Sequence, residues 1–256
     1  MTVDLHSVKD NTIFQNDPFG SNGHGVGMLA GKDFSNQETR ALFQFDIDDQ
    51  IPSDATIVSA EVLLTMDWTN DLYSFGSENF SLHRLLASWG EGASNNGALP
   101  EQPGTLESAL AVAPDATWIW RNSAPPFSGT LWATPGGDFS PTASSTSAVT
   151  TWPGLFAWPS TPELVSDVQE MLNNPAANFG WILKSANPAS AGNGEARRFS
   201  TREGLNAPIL RVTYELPPPP PIPTMSQWGL ILFGLLIVAS ALGTVYALIS
   251  TRELKA

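Results

Sequence analysis

The chain has no cysteine among its 256 residues. Disulfide staples, thiolate zinc sites and a cysteine nucleophile are all excluded by that one absence. Histidine is almost as scarce, with His6, His24 and His83 only. No HExxH pair occurs and His83 falls inside a strand pattern, so no zinc site is expected. There is no G-x-S-x-G elbow, which removes the usual signature of a serine hydrolase nucleophile. Charge is sparse and lopsided: charged residues are 14% of the chain, and 25 Asp and Glu against 12 Lys and Arg give a formal net charge of −13. The residues before the proline run carry −14 and the tail after it +1. So acidic a surface repels phosphate backbones and anionic headgroups, and nucleic acid is not an expected partner. No internal repeat of roughly 20–50 residues is present, which argues against solenoids and propellers.

What the chain does have is apolar side chain, at 42% of residues, enough for a sizeable core. The pattern is that of strands. In TIVSAEVLLTMDW, Val58, Ala60, Val62, Leu64 and Met66 form one apolar row while Ser59, Glu61, Thr65 and Asp67 alternate with them, as in a half-buried strand. Further strand patterns occupy 40–47 (RALFQFDI), 80–86 (FSLHRLL), 117–121 (TWIWR), 179–184 (FGWILK), 198–202 (RFSTR) and 209–214 (ILRVTY), separated by Gly, Pro, Asn and Ser clusters. One short helix interrupts them at STPELVSDVQEMLNNP. Ser160 and Glu163 fit a capping box there, Pro162 suits the first turn, and Leu164, Val168, Met171 and Leu172 share a face. The expectation is a single all-β domain over 1–215.

A different composition follows. Residues 216–223 form a proline-rich linker, in which PPPPPIP favours a polyproline II spacer. The run 228–250, WGLILFGLLIVASALGTVYALIS, has no charge, and about 20 such residues suffice for a helix to cross a membrane. Arg252 and Lys255 beyond it are a basic tail that predicts a cytoplasmic C-terminus, with the domain outside. The opening MTVDLHSVKDNTIF has neither a basic n-region nor an apolar h-region, so outward placement predicts an export signal upstream of Met1. A tail-anchored chain with a cytoplasmic domain is the alternative.

Candidate chemistry is limited. Gly25, Gly27 and Ala30 match a dinucleotide fingerprint in spacing, but strand and helix patterns do not flank them, so 22–31 reads as a flexible surface loop. Glu91, Asp138 and Glu203 are the acids to consider for a glycosidase pair, which needs two carboxyls about 5–9 Å apart. Asp46, Asp48 and Asp49 read as a solvated strand end, and no cofactor or metal is expected. Tryptophan is the enriched side chain. Trp181 alternates with Phe179 and Leu183 and suits a core, whereas Trp89, Trp118, Trp120, Trp132, Trp152 and Trp158 lie near loop-forming residues and are the candidate sugar-stacking faces.

Two resemblances rest on ordered motifs. KDNTIF, RALFQFDI, IPSDATIVSAEVLL, LHRLLASWGEG, PDATW, GGDF, NFGWILK, RRFSTRE and PILRVTY together resemble the DNRLRE domain, a carbohydrate-binding-module-like family of secreted bacterial proteins. That resemblance implies a jelly-roll-like antiparallel β-sandwich, a polysaccharide-binding or adhesive role, and no catalytic residues. The segment 222–256, opening IPTMSQWG, resembles the IPTL-CTERM sorting signal through Ile222, Pro223, Thr224, Met225, Trp228 and Gly229, with Met225 where the family has Leu. It implies a Gram-negative source, recognition by an exosortase-type transpeptidase, and attachment at or release from the cell surface. The function expected is a non-catalytic binding or structural module of the envelope. A polysaccharide-degrading enzyme and a purely structural matrix or adhesion protein are the alternatives.

Overall fold

The computed structural model describes residues 1–32, 36–69, 76–97, 108–124, 128–186, 195–221 and 225–253. The chain divides into two compact units, Met1–Leu216 and Pro217–Ala256. The first is built on strands β1 (Thr2–Phe14), β2 (Gly20–Ser21), β3 (Gly27–Lys32), β4 (Glu38–Phe45), β5 (Thr56–Thr69), β6 (Ser77–Arg84) and β7 (Ala109–Leu110). It continues with β8 (Trp120–Ala124), β9 (Ser128–Leu131), β10 (Ser145–Thr150), β11 (Gly154–Trp158), helix α1 (Pro162–Asn173), β12 (Trp181–Ser185), β13 (Arg197–Ser200) and β14 (Ile209–Glu215).

The all-β class agrees with the sequence pattern, but the connectivity is not that of two separate jelly-roll sheets. Twelve strands form one antiparallel sheet, with β8 and β9 a hairpin apart. Following the pairings from β4 through β3, β13, β5, β14 and β1 returns to β4, a closed barrel-like ring of six strands. Strand β1 makes this possible. Its first residues pair with β14 (Val3 with Val212), and from Ser7 onward, across a register shift between Ser7 and Lys9, it pairs with β4 (Ser7 with Phe45, Asp10 with Phe43). A bulge bends and twists a strand, so one strand serves two surfaces. Beyond the bulge Asp10–Phe14 are all buried. The polar Asn11 among them is satisfied: its Oδ1 accepts from Thr12 N, Ser21 Oγ and Asn22 N, and its Nδ2 donates to Ala116 O.

Strand β5 organises the other surface. Met66 pairs with both Gly154 and Phe199, and Leu63 with both Ala157 and Ile209. Each residue has one partner per edge, so β11 takes one edge of β5 while β13 and β14 follow one another along the other. The predicted apolar row of β5 holds at Ala60, Val62, Leu64 and Met66 but fails at Val58, which is 50% exposed. A register shift opposite Thr213 and Tyr214 inserts one residue, turns Ile57 inward and sends Val58 out. The segment 22–31 is corrected in part: 27–31 belong to β3, which is buried at every residue and pairs with β13 and β4, while 22–26 form the turn that precedes it.

The main core gathers Phe43, Phe45, Phe80, Trp158, Trp181 and Phe199 with the buried face of α1, Leu164, Val168, Met171 and Leu172. The cap of α1 is Thr161, not Ser160. Thr161 Oγ1 accepts from Leu164 N at 3.0 Å, while Ser160 Oγ accepts from Ala60 N of β5. In the second unit, α2 (Met225–Glu253) carries a 21-residue span, Gln227–Ala247, of mean hydropathy 2.3. It is the one described helix long and apolar enough to cross a membrane.

Candidate functional site

The six loop-adjacent tryptophans do not share one fate. Trp89, Trp118, Trp120, Trp132 and Trp158 are buried, and only Trp152, 66% exposed, shows most of its ring to solvent. Trp158 is corrected from candidate ligand face to main core: it is fully buried, donates to Phe80 O at 2.8 Å and meets Phe199 edge-on. Trp120 leans on Phe19 with ring centroids 5.4 Å apart. Trp89, Trp118 and Trp132 join Ile13, Leu42, Leu85, Ala116 and Ile182 in a second, smaller core. Their buried N–H groups need acceptors, and Trp89 finds Phe179 O and Trp132 finds Thr117 O, each at 2.9 Å. Buried indoles of this kind have no face to offer a sugar, and the loops that carry them are held down by those same bonds.

Above the second core lies a cleft of about 520 Å³ lined by Arg40, Leu86, Ala87, Pro135, Asp138 and Phe139, with Ala133, Thr134 and Gly137 at its wall. It is built from the start of β4, the segment after β6 and the loop between β9 and β10. Arg40 is its clamp. The guanidinium lies 4.6 Å from the Trp118 ring centroid and 5.4 Å from that of Phe139. It donates through Nη1 to Gly136 O at 2.6 Å and through Nε to Glu38 at 2.8 Å. Gly136 has φ +93°, and a Cβ there would stand 2.6 Å from Arg40 Nη1 and 2.8 Å from Trp118 Cζ2. Glycine thus satisfies both the backbone conformation and the close approach.

Asp138 braces the loop. Its two carboxylate oxygens accept from the backbone N–H groups of Ala133 and Thr134, at 2.9 and 2.8 Å, and its own carbonyl accepts from Leu86 N. Behind Phe139, His83 packs edge-on at 5.3 Å. Its Nδ1 faces the Ser140 carbonyl at 2.8 Å, an acceptor only, so Nδ1 carries the proton and Nε2 accepts from Ser81 Oγ. Burial lowers the His83 pKa, which keeps the ring neutral at pH 7.

Of the three acids considered for catalysis, Glu91 and Glu203 meet around Arg202, whereas Asp138 belongs to the cleft loop. Among the described residues no three of His, Cys, Asp and Glu form a metal-holding group. Trp152 belongs to neither place. Thr150 pairs with Ser77 at one end of β6 while Leu86, beyond the other end, lines the cleft. At ~3.4 Å per residue those nine positions span ~30 Å. In the tail, Met225 starts α2, Trp228 and Gly229 lie in its opening turns and Arg252 near its end, while Ile222, Pro223, Thr224 and Lys255 fall outside the described residues. Sequence reasoning missed Arg40, Leu86, Pro135 and Phe139. The usable signals were a charged residue heading the otherwise uncharged RALFQF and the paired glycines of PGGDF. No protein-family model matches the chain, and no curated protein matches it.

Proposed function

We propose that the first unit is a non-catalytic module of the cell envelope that binds a neutral polysaccharide in the Arg40–Phe139 cleft, and that α2 anchors it in a membrane. The observation that carries this reading is a cleft whose walls are fixed in advance: Arg40 stacked between Trp118 and Phe139, and a loop tied by Asp138. An apolar floor with a few placed polar groups suits a sugar ring, which has apolar C–H faces and a hydroxyl rim. A rigid wall also lowers the entropy lost on binding. The excess of acids in this unit disfavours anionic polymers and leaves neutral ones. Arg252 and Lys255 support a cytoplasmic C-terminus with the module outside, and the IPTM-Trp-Gly segment supports recognition by an exosortase-type transpeptidase. A jelly-roll ancestry of the strand ring belongs to the same reading.

Binding of the full chain in detergent to a panel of neutral and acidic envelope glycans tests it. The expected result is a neutral ligand whose affinity falls about tenfold, or ~1.4 kcal/mol, on Phe139→Ala and is unchanged on Trp152→Ala. Absence of binding across the panel, with cell adhesion altered on deletion, would instead identify a structural matrix or adhesion protein. Oligosaccharide turnover lost on Glu91→Gln would identify an enzyme.

A further inference from the structure

The chain leaves the first unit from the end of β14, at Glu215 and Leu216, so a pull on the linker is applied first to that strand. Neither edge of β14 is open. One edge pairs with β1 at five positions, from Thr213 with Thr2 to Ile209 with His6, and the other with β5 at seven, from Glu215 with Thr56 to Ile209 with Leu63. Arg211 ties the three strands together: its Nε donates to Asp4 of β1 at 2.7 Å and its Nη1 to Glu61 of β5 at 3.4 Å. On the inner face Leu210 and Val212 are fully buried in the main core.

The direction of pairing decides how a pull is carried. Strand β1 runs antiparallel to β14, from Thr2 beside the linker end to Ile13, which pairs with Arg40 of the cleft. The seven positions from His6 to Ile13 cover roughly 20 Å of strand, so the cleft and the linker lie towards opposite ends of β1. Tension between them draws β14 lengthwise past β1 and β5, and the rungs on both edges resist together. Peeling β14 sideways would instead break them one at a time. Slippage is opposed too. A one-residue step would turn Leu210 and Val212 out of the core, and the register shift at Thr213 and Tyr214 pins the alignment on β5.

We propose that β14 is a load-bearing strand, held in shear between β1 and β5, which keeps the first unit folded when a polymer seated in the cleft pulls against the membrane anchor. The source of the load rests on the reading of the cleft and of α2 given above. The resistance itself belongs to the pairing of β14 and is measured without any ligand.

Because the chain has no cysteine, introduced thiols give defined handles for single-molecule force spectroscopy on the full chain in detergent. Ala133→Cys with Pro219→Cys pulls from the cleft rim to the linker, whereas Thr2→Cys with Pro219→Cys pulls apart the adjacent ends of β1 and β14; all three positions are exposed. Forced unfolding follows the barrier in the loaded direction, so the first pair is expected to need roughly twice the force of the second, or more. In the first geometry Val212→Ala, in β14, is expected to lower the force more than Val168→Ala, which empties an equally buried site in α1. Equal forces in the two geometries, a larger force for the Thr2 pair, or equal losses in the two valine variants overturn the proposal. Should a valine variant fail to fold, the comparison of the two geometries decides. A glycan panel without binding, by contrast, counts against the cleft reading and leaves these forces unchanged.

Discussion

Trp152, in the connection between β10 and β11, and Trp158, at the end of β11, are six positions apart, yet one indole lies in water and the other in the core. The difference is measurable as stability. Trp158→Ala removes a fully buried ring and its 2.8 Å hydrogen bond to Phe80 O, an expected loss of about 3–5 kcal/mol in denaturant unfolding of the first unit. Trp152→Ala is expected to stay within about 0.5 kcal/mol. Equal effects would show that exposure has been misassigned between the two. Nothing local to either residue foretells this. Both follow small or β-branched residues and precede proline, and the side chain's direction depends on which strand comes to lie over it. The same limit applies to the cleft. Arg40 looks like an ordinary charge at a strand end, and its neighbours Gly136 and Phe139 are about a hundred residues away in sequence.

Individual elements were more legible, because hydrophobic period is a property of a few consecutive residues. The helix at 162–173 and its buried face could be read directly, as could strands β4, β5, β6, β8, β12, β13 and β14, half of those described. The errors came where a neighbour intervened. Ser160 and Thr161 are both acceptable caps by composition, and β5 decides between them by engaging Ser160 through the Ala60 N–H. Thr161→Ala is expected to cost about 1 kcal/mol, seen as a lower denaturation midpoint with an unchanged slope. A loss of much less than this would mean the helix start is held by packing alone. Val58 fell on the wrong side of β5 because a bulge resets the alternation, and a bulge arises from pairing with β14. Strand β3 escaped notice because GMLAGK is buried on both faces and so has no alternation, while its glycines mimic a loop.

At the scale of the whole molecule, the two units differ in solvent preference. The first is acidic with a buried core, and the second places an uncharged apolar span of 21 residues in one helix. Ending the chain at Leu216 is expected to yield a folded product that leaves the membrane fraction on alkaline carbonate extraction, while the full chain stays. A truncated product that remains with the membrane would show that the first unit binds lipid by itself. Division into units, strand content and the apolar helix are determined by sequence, since composition and short-range period are local and need no partner to be expressed. Tertiary structure alone decided the closed strand ring, the burial of five tryptophans, the Arg40 cleft and the meeting of Glu91 with Arg202. Each depends on contacts between residues tens to hundreds of positions apart, and a desolvated environment exists only once those contacts have formed.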